Sequence, residues 1–169
     1  MTRRTTPPPD ADARFEDAPL SDRPLRLRAE TADDVAVISS LVQDAVGKAG
    51  DIAWMPRKRR LVMLVNRFRW EDSADAEQAR RPFERVRSAV TVESVLKVRA
   101  RGVGPAERDR VFDLLAIAFA PSEGCAGTLT WTLAGGAEVA VEVECLDLTL
   151  ADLTRPWEAK AGKAPEHGD

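Results

Sequence analysis

Glu142 and Glu144 stand two apart in an alternating stretch, the spacing at which paired carboxylates on one strand face could hold a divalent cation or divide acid and base roles. Outward positions of an antiparallel strand are expected to be polar in any case, and local spacing fixes no third carboxylate or histidine beside them. A carboxylate enzyme acting on a small molecule is therefore the least supported reading. The only histidine, His167, lies two residues from the C-terminus in a segment without apolar periodicity, which removes Ser-His-Asp and Cys-His arrangements within a folded pocket. Tyrosine is absent, and two cysteines, Cys125 and Cys145, are too few for a thiolate zinc site. No metal or cofactor site is predicted.

The sequence Gly47-Lys48-Ala49-Gly50 could bring backbone amides and a lysine to a phosphate. It follows a helical pattern instead of preceding one, so the dipole end it offers is negative and repels anions. A helix C-cap at Gly47 is the reading it supports.

A basic stretch is the stronger signal. Between Arg57 and Arg101 there are 13 Lys and Arg against 6 Asp and Glu, although the whole chain carries a formal charge of −3. Arg57, Lys58, Arg59, Arg60, Arg67 and Arg69 are the candidate partner-binding residues, with Arg85, Arg87, Lys97, Arg99 and Arg101 extending the same face. Such a face suits an acidic protein or RNA. Phe68 and Trp70 beside Arg67 and Arg69 could stack on bases. Strict alternation, however, puts those aromatics on the sheet face opposite the arginines. That favours solvated arginines paired across strands with Glu138, Glu142 and Glu144.

These residues need a scaffold, and the patterning predicts one. Leu25–Ala29 alternates as a short strand. Thr31 and Asp34 open a helix, with Val35, Ile38, Leu41, Val42, Ala45 and Val46 along its apolar face. Strands follow at Asp51–Met55 and Arg60–Trp70 around a proline-led basic tip. Residues 71–81 read as a turn or weak helix, and Val86–Val92 as a strand kinked at Glu93-Ser94 that resumes through Val98. Val111–Ala120 reads as a doubly buried central strand, and a final hairpin runs through Gly135-Gly136 to Cys145 on the inward row. Trp54, Trp131 and Trp157 read as core or core-rim residues. The expected fold class is α+β: a mainly antiparallel sheet of about eight strands, forming a roll or incomplete barrel, with one N-terminal helix packed on it.

At 169 residues, 44% apolar and 31% charged, the chain suffices for one domain. Five of its eleven prolines fall within residues 1–24, which read as a disordered arm; 25–157 is the globular domain and 158–169 a disordered tail. The longest apolar run, Leu114–Ala120, is far short of the roughly 20 residues that span a bilayer. Without a secretory leader, the cysteines read as reduced, and a cytoplasmic location with no membrane partner is expected.

Several segments together resemble a known family: Leu41–Val46, Gly50–Trp54, Leu64–Glu71, Leu114–Phe119, and Val141–Asp147 ahead of Asp152–Trp157. In order and spacing the chain resembles the bacterial family catalogued as domain of unknown function 2948 (DUF2948), over about residues 25–157. The resemblance implies a small bacterial cytoplasmic protein with no assigned activity, and no catalytic or binding residue comes with it. These segments hold polar residues that packing alone does not require: Gln43, Asp44, Asp51 and Asn66, with Arg67 and Glu71. Asn is a poor strand residue at 66. They form a candidate polar cluster, whose plainer role is a buried network fixing the helix on the sheet.

The function expected from the residues is a non-enzymatic interaction module that binds an acidic or anionic partner through the basic hairpin and sheet face. RNA binding by the same face is the alternative.

Overall fold

The structure, a computed structural model, describes residues 23–80 and 82–159. The predicted arm, apart from its last two residues, and nearly all of the predicted tail with His167 lie outside the described residues.

β1 (Arg26–Ala29) leads to helix α1 (Ala32–Val42). Thr31 caps it as predicted: its hydroxyl accepts from the Asp34 N–H at 3.2 Å, and the Asp34 carboxylate accepts from the Glu30 and Thr31 N–H groups at 3.1 Å. The Glu30 and Thr31 bonds hold the Asp34 carboxyl below its ordinary pKa. A lowered carboxyl stabilises the fold above its unfolded pKa and stops doing so as pH falls through the folded value. Asp34→Ala should therefore lower the melting temperature at neutral pH, with the gap to the parent narrowing once the pH drops below the carboxylate range. Melts across pH check this.

The helix ends earlier than the apolar spacing suggests. Asp44 takes a left-handed conformation at φ 60°, and Ala45–Lys48 is a strand, β2. Gly47 is thus not a C-cap. It lies where β2 is squeezed between neighbours, and a Cβ there would stand 2.5 Å from Phe112 Cζ and 2.9 Å from the Leu64 carbonyl. The phosphate reading of Gly47–Gly50 loses its premise as well, because a strand and a 3-10 turn replace the helix end.

The remaining strands are β3 (Ile52–Met55), β4 (Arg60–Phe68), β5 (Glu84–Val92), β6 (Val95–Arg101), β7 (Val111–Pro121), β8 (Gly127–Leu133), β9 (Glu138–Val143), β10 (Leu148–Asp152) and β11 (Trp157–Glu158). A short helix, α2 (Ser73–Gln78), fills the predicted weakly helical stretch. All pairings are antiparallel, in the order β1-β10-β5-β4-β2-β7-β8-β9-β6, with β3 on β4 and β11 on β5. The class is α+β as expected, with eleven strands instead of eight. β2, β10 and β11 are the additions, each too short for a clear alternating signal.

β5 runs directly into β6, yet β6 ends the far side of the sheet path. The sheet therefore curls round on itself, turning at Ser94 (φ 57°), and the Val95 N–H meets the Arg59 carbonyl at 2.9 Å. One apolar core fills the roll: Val35, Ile38 and Val42 of α1 pack with Leu61, Met63, Val65, Leu114, Trp131, Leu148 and Leu150. α1 also satisfies the bulge in β7, where the Ile117 N–H donates to Ser39 Oγ at 2.9 Å. β7 is half exposed instead of doubly buried, with Val111 and Leu115 open to solvent. The reason is that α1 covers only its concave face.

Candidate functional site

Arg67 holds the most elaborate polar arrangement, and it lies inside the molecule. On β4, residues Leu61, Met63, Val65 and Arg67 share one parity and all are buried; Arg67 is 0% exposed. Its guanidinium makes two forks. Nε and Nη2 donate to Asp152 at 3.0 Å each, and Nη1 and Nη2 donate to Glu71 at 2.8 and 2.7 Å. Nη1 also reaches the Phe68 carbonyl at 3.3 Å, so all five N–H donors are used. Asp152 is equally saturated, accepting from Ser88 Oγ at 2.7 Å and from the Leu25 N–H at 2.9 Å as well. Burial opposes the charge on Arg67, but Glu71 and Asp152 outweigh it and raise its pKa. The network ties β1, β4, β5, β10 and the turn after β4 together.

Arg69 is also buried and pairs with Glu84 and, at 3.7 Å, Asp72. Arg67 and Arg69 are therefore not part of an open basic face, nor are they solvated. Phe68 and Trp70 do not fill the roll's core with them either. Phe68 packs on the opposite sheet face, edge-on to Trp70 with ring centroids 4.6 Å apart. Being buried there, Phe68 offers no platform for a base.

The rest of the basic set divides. Arg59 is paired with Glu144, and Arg60 with Glu93 at 2.6 Å. Lys97, Arg99 and Arg101 on β6 stand across from Glu142, Ala140 and Glu138 on β9, with Arg99 3.7 Å from Glu142. Of these three cations only Arg99 comes within ion-pair distance of a β9 glutamate among the described residues, and Arg101 Nε donates to the Gly136 carbonyl at 3.3 Å. Glu142 and Glu144, the candidate catalytic carboxylates, are paired with Arg99 and Arg59 respectively, and no cluster of three or more metal-ligating side chains occurs among the described residues. Arg57 and Lys58, on the 3-10 turn between β3 and β4, remain exposed and have no carboxylate within ion-pair distance among the described residues.

The polar cluster comes together only in part. Arg87 Nη atoms approach Asn66 Oδ1 at 3.4 Å and Asp51 Oδ2 at 3.5 Å, and Arg85 reaches the Asn66 carbonyl at 3.3 Å. Gln43 acts through its backbone, its carbonyl accepting from Trp70 Nε1 at 3.1 Å. The Asp44 N–H donates to the Leu114 carbonyl at 2.8 Å. The two halves meet at β2, where Val46 pairs with Asn66.

Beside the basic tip lies a feature that no local pattern announces. A cavity of about 300 Å³ opens between β3 and β6, walled by Ile52, Trp54, Leu61, Val98 and Val103, with Arg108 at its edge. Trp54 is opposite Leu61 in the β3–β4 register and is 36% exposed, which places an indole at the rim, two residues from the tip. Its walls come from segments far apart in sequence, so only the curl of the sheet assembles it.

The architecture is an antiparallel α+β roll with a saturated internal ion network and an apolar cavity beside an unpaired basic turn. A family model described as "Protein of unknown function (DUF2948)" matches residues 25–167, nearly the whole chain, and the protein belongs to that family. No curated protein and no solved structure matches it. Among the described residues, no helix is long and apolar enough to cross a membrane.

Proposed function

We propose that this protein is a non-enzymatic binding module that takes an acidic segment of a partner protein at the β3–β4 tip, with an apolar side chain of that segment seated in the adjoining cavity. The observation that carries this reading is the juxtaposition of Arg57 and Lys58, exposed and unpaired, with Trp54 and the cavity mouth. Cations already paired within the protein have little left to offer a partner. These two do not have to break an internal bond first. An aromatic at a cavity rim supplies the apolar anchor that binding surfaces commonly use.

An acidic protein segment is preferred over RNA for two reasons. The aromatic beside the basic strand, Phe68, is internal, and two of the arginines counted toward a phosphate-tracking surface, Arg67 and Arg69, are enclosed by carboxylates. The cytoplasm is the location proposed for this role.

A labelled peptide alternating Glu and Leu tests the reading directly by fluorescence anisotropy. Binding at low salt should weaken about tenfold or more in Arg57→Glu/Lys58→Glu, and it should weaken in the parent protein as salt rises. Equal binding by the charge-reversed variant would overturn the proposal. So would tighter binding of a labelled single-stranded RNA than of the peptide.

A further inference from the structure

The end of the roll brings the chain's two cysteines onto neighbouring, hydrogen-bonded segments. The turn after β7 brings Cys125 over the segment that follows β9: its carbonyl accepts from the Leu146 N–H at 2.9 Å, and its thiol donates to the Glu144 carbonyl at 3.5 Å. Those two partners flank Cys145. The Cys125 thiol therefore bonds to the residue immediately before Cys145, and the Cys125 carbonyl to the residue immediately after it. Cys125 is exposed and Cys145 half-buried, and both are free. Cys145 does not extend the inward row of β9, as its alternation suggests; the strand ends at Val143 and Leu146 enters the core instead. That shift leaves Cys145 half-buried on the segment that Cys125 bonds to, outside the core.

We infer that Cys125 and Cys145 form a reversible intramolecular disulfide when the protein meets hydrogen peroxide. In the first step the Cys125 sulfur attacks one peroxide oxygen, the O–O bond breaks, and Cys125 becomes a sulfenic acid with release of water. In the second step the Cys145 sulfur attacks the sulfenic sulfur. The S–S bond forms, the S–O bond breaks, and the departing hydroxide leaves as water with the Cys145 proton. Two thiols are oxidised by two electrons in all, and one peroxide is reduced to two waters.

The division of labour follows from the surroundings. The neighbouring Cys125 and partial burial, followed by the charges of Asp147 and Glu30, hold the Cys145 thiol above its ordinary range. A reluctant thiolate suits the resolving position, and the exposed Cys125 is open to the oxidant. The bond would tie the β7–β8 turn to the β9–β10 connection one residue from Glu144, which pairs with Arg59 of the basic tip.

Full-length protein treated with a small molar excess of hydrogen peroxide, then quenched, alkylated and weighed by mass spectrometry, tests the inference. Expected are a loss of two hydrogen masses, no alkylated cysteine, a Cys125–Cys145 linked peptide in the digest, a monomer on a non-reducing gel, and full reversal by dithiothreitol. In Cys145→Ser the reaction should stop at a Cys125 sulfenic acid that dimedone traps. An unchanged melting temperature in Cys125→Ser would show that its failure to cross-link is not a failure to fold. Full alkylation of both cysteines after peroxide, sulfinic acids without a linked peptide, or intermolecular dimers alone would overturn it.

Discussion

Replacing Arg67 by alanine is expected to destabilise the fold by about 3–5 kcal/mol, because the substitution leaves the Asp152 carboxylate buried with its main counter-charge gone. The side chains of Arg67 and Asp152 are 0% and 5% exposed, so water cannot replace the lost bonds. Ser88 Oγ and the Leu25 N–H alone would have to satisfy Asp152. Removing Asp152 should cost less, because Arg67 keeps its fork to Glu71. Since each single change strips the other side chain of two shared hydrogen bonds, the double variant Arg67→Ala/Asp152→Ala should lose clearly less than the sum of the two. Urea unfolding of the four proteins measures this. Additive losses would mean that the two side chains act independently, against the geometry of the fork.

Gly127→Ala is the second substitution with a large expected effect, about 1–3 kcal/mol of lost stability. Gly127 opens β8 opposite Pro121, and a Cβ there would collide with the Ala120 carbonyl oxygen and stand within 2.6 Å of the Phe119 ring. A side chain could rotate away, but a backbone carbonyl in the β7–β8 ladder cannot move without opening that ladder. Gly104→Ala serves as the control, since its nearest contact would be Glu107 Oε2 at an ordinary 3.6 Å. Its stability should stay within about 0.5 kcal/mol of the parent. Equal stabilities of the two variants, read from thermal or urea melts, would contradict the close approach.

Much of this scaffold was legible in the sequence, and the reasons for the gaps are physical. Alternation located the β8–β9 hairpin, with Leu129, Trp131, Leu133, Val139, Val141 and Val143 all buried. Thr31 and Asp34 marked the start of α1 because capping is a local interaction. Its end was hidden. Ala45 and Val46 continue the helical apolar spacing by coincidence, and what stops the helix is a left-handed Asp44 followed by pairing of β2 with β7, more than sixty residues downstream.

Arg67 shows a different failure. Its parity with Leu61, Met63 and Val65 places it on the core face, so the information was present in the chain. The general preference for aromatics inside and arginines outside pointed the other way. What reverses that preference is a pair of carboxylates, one of them Asp152 on β10, 85 residues away, a strand too short to recognise. Of the candidate polar cluster, Asp51 and Asn66 both lie within reach of Arg87, while Gln43 acts by its carbonyl, which side-chain type does not signal. The cavity was invisible for the same reason as Asp152: it is a product of curling, not of any one segment.

The cations of β6 were readable as a pattern but not as a role until β9 lay beside them. Once it does, three of the six exposed or half-exposed residues Arg57, Lys58, Arg59, Arg60, Lys97 and Arg99 have an anionic partner within the ion-pair range, namely Arg59, Arg60 and Arg99. Lys97 faces Glu142 across the register. Arg57 and Lys58 have no carboxylate within that range among the described residues, and they stand beside the cavity.

Hydrogen exchange of the full chain, with and without the Glu–Leu peptide at saturating concentration, locates the contact without assuming it. Slowed exchange concentrated in residues 52–61 and in the 103–108 lip of the cavity is the predicted result. Slowing confined to the outer face of β6 and β9, or no change at the tip in a sample where the peptide is bound, would contradict the account.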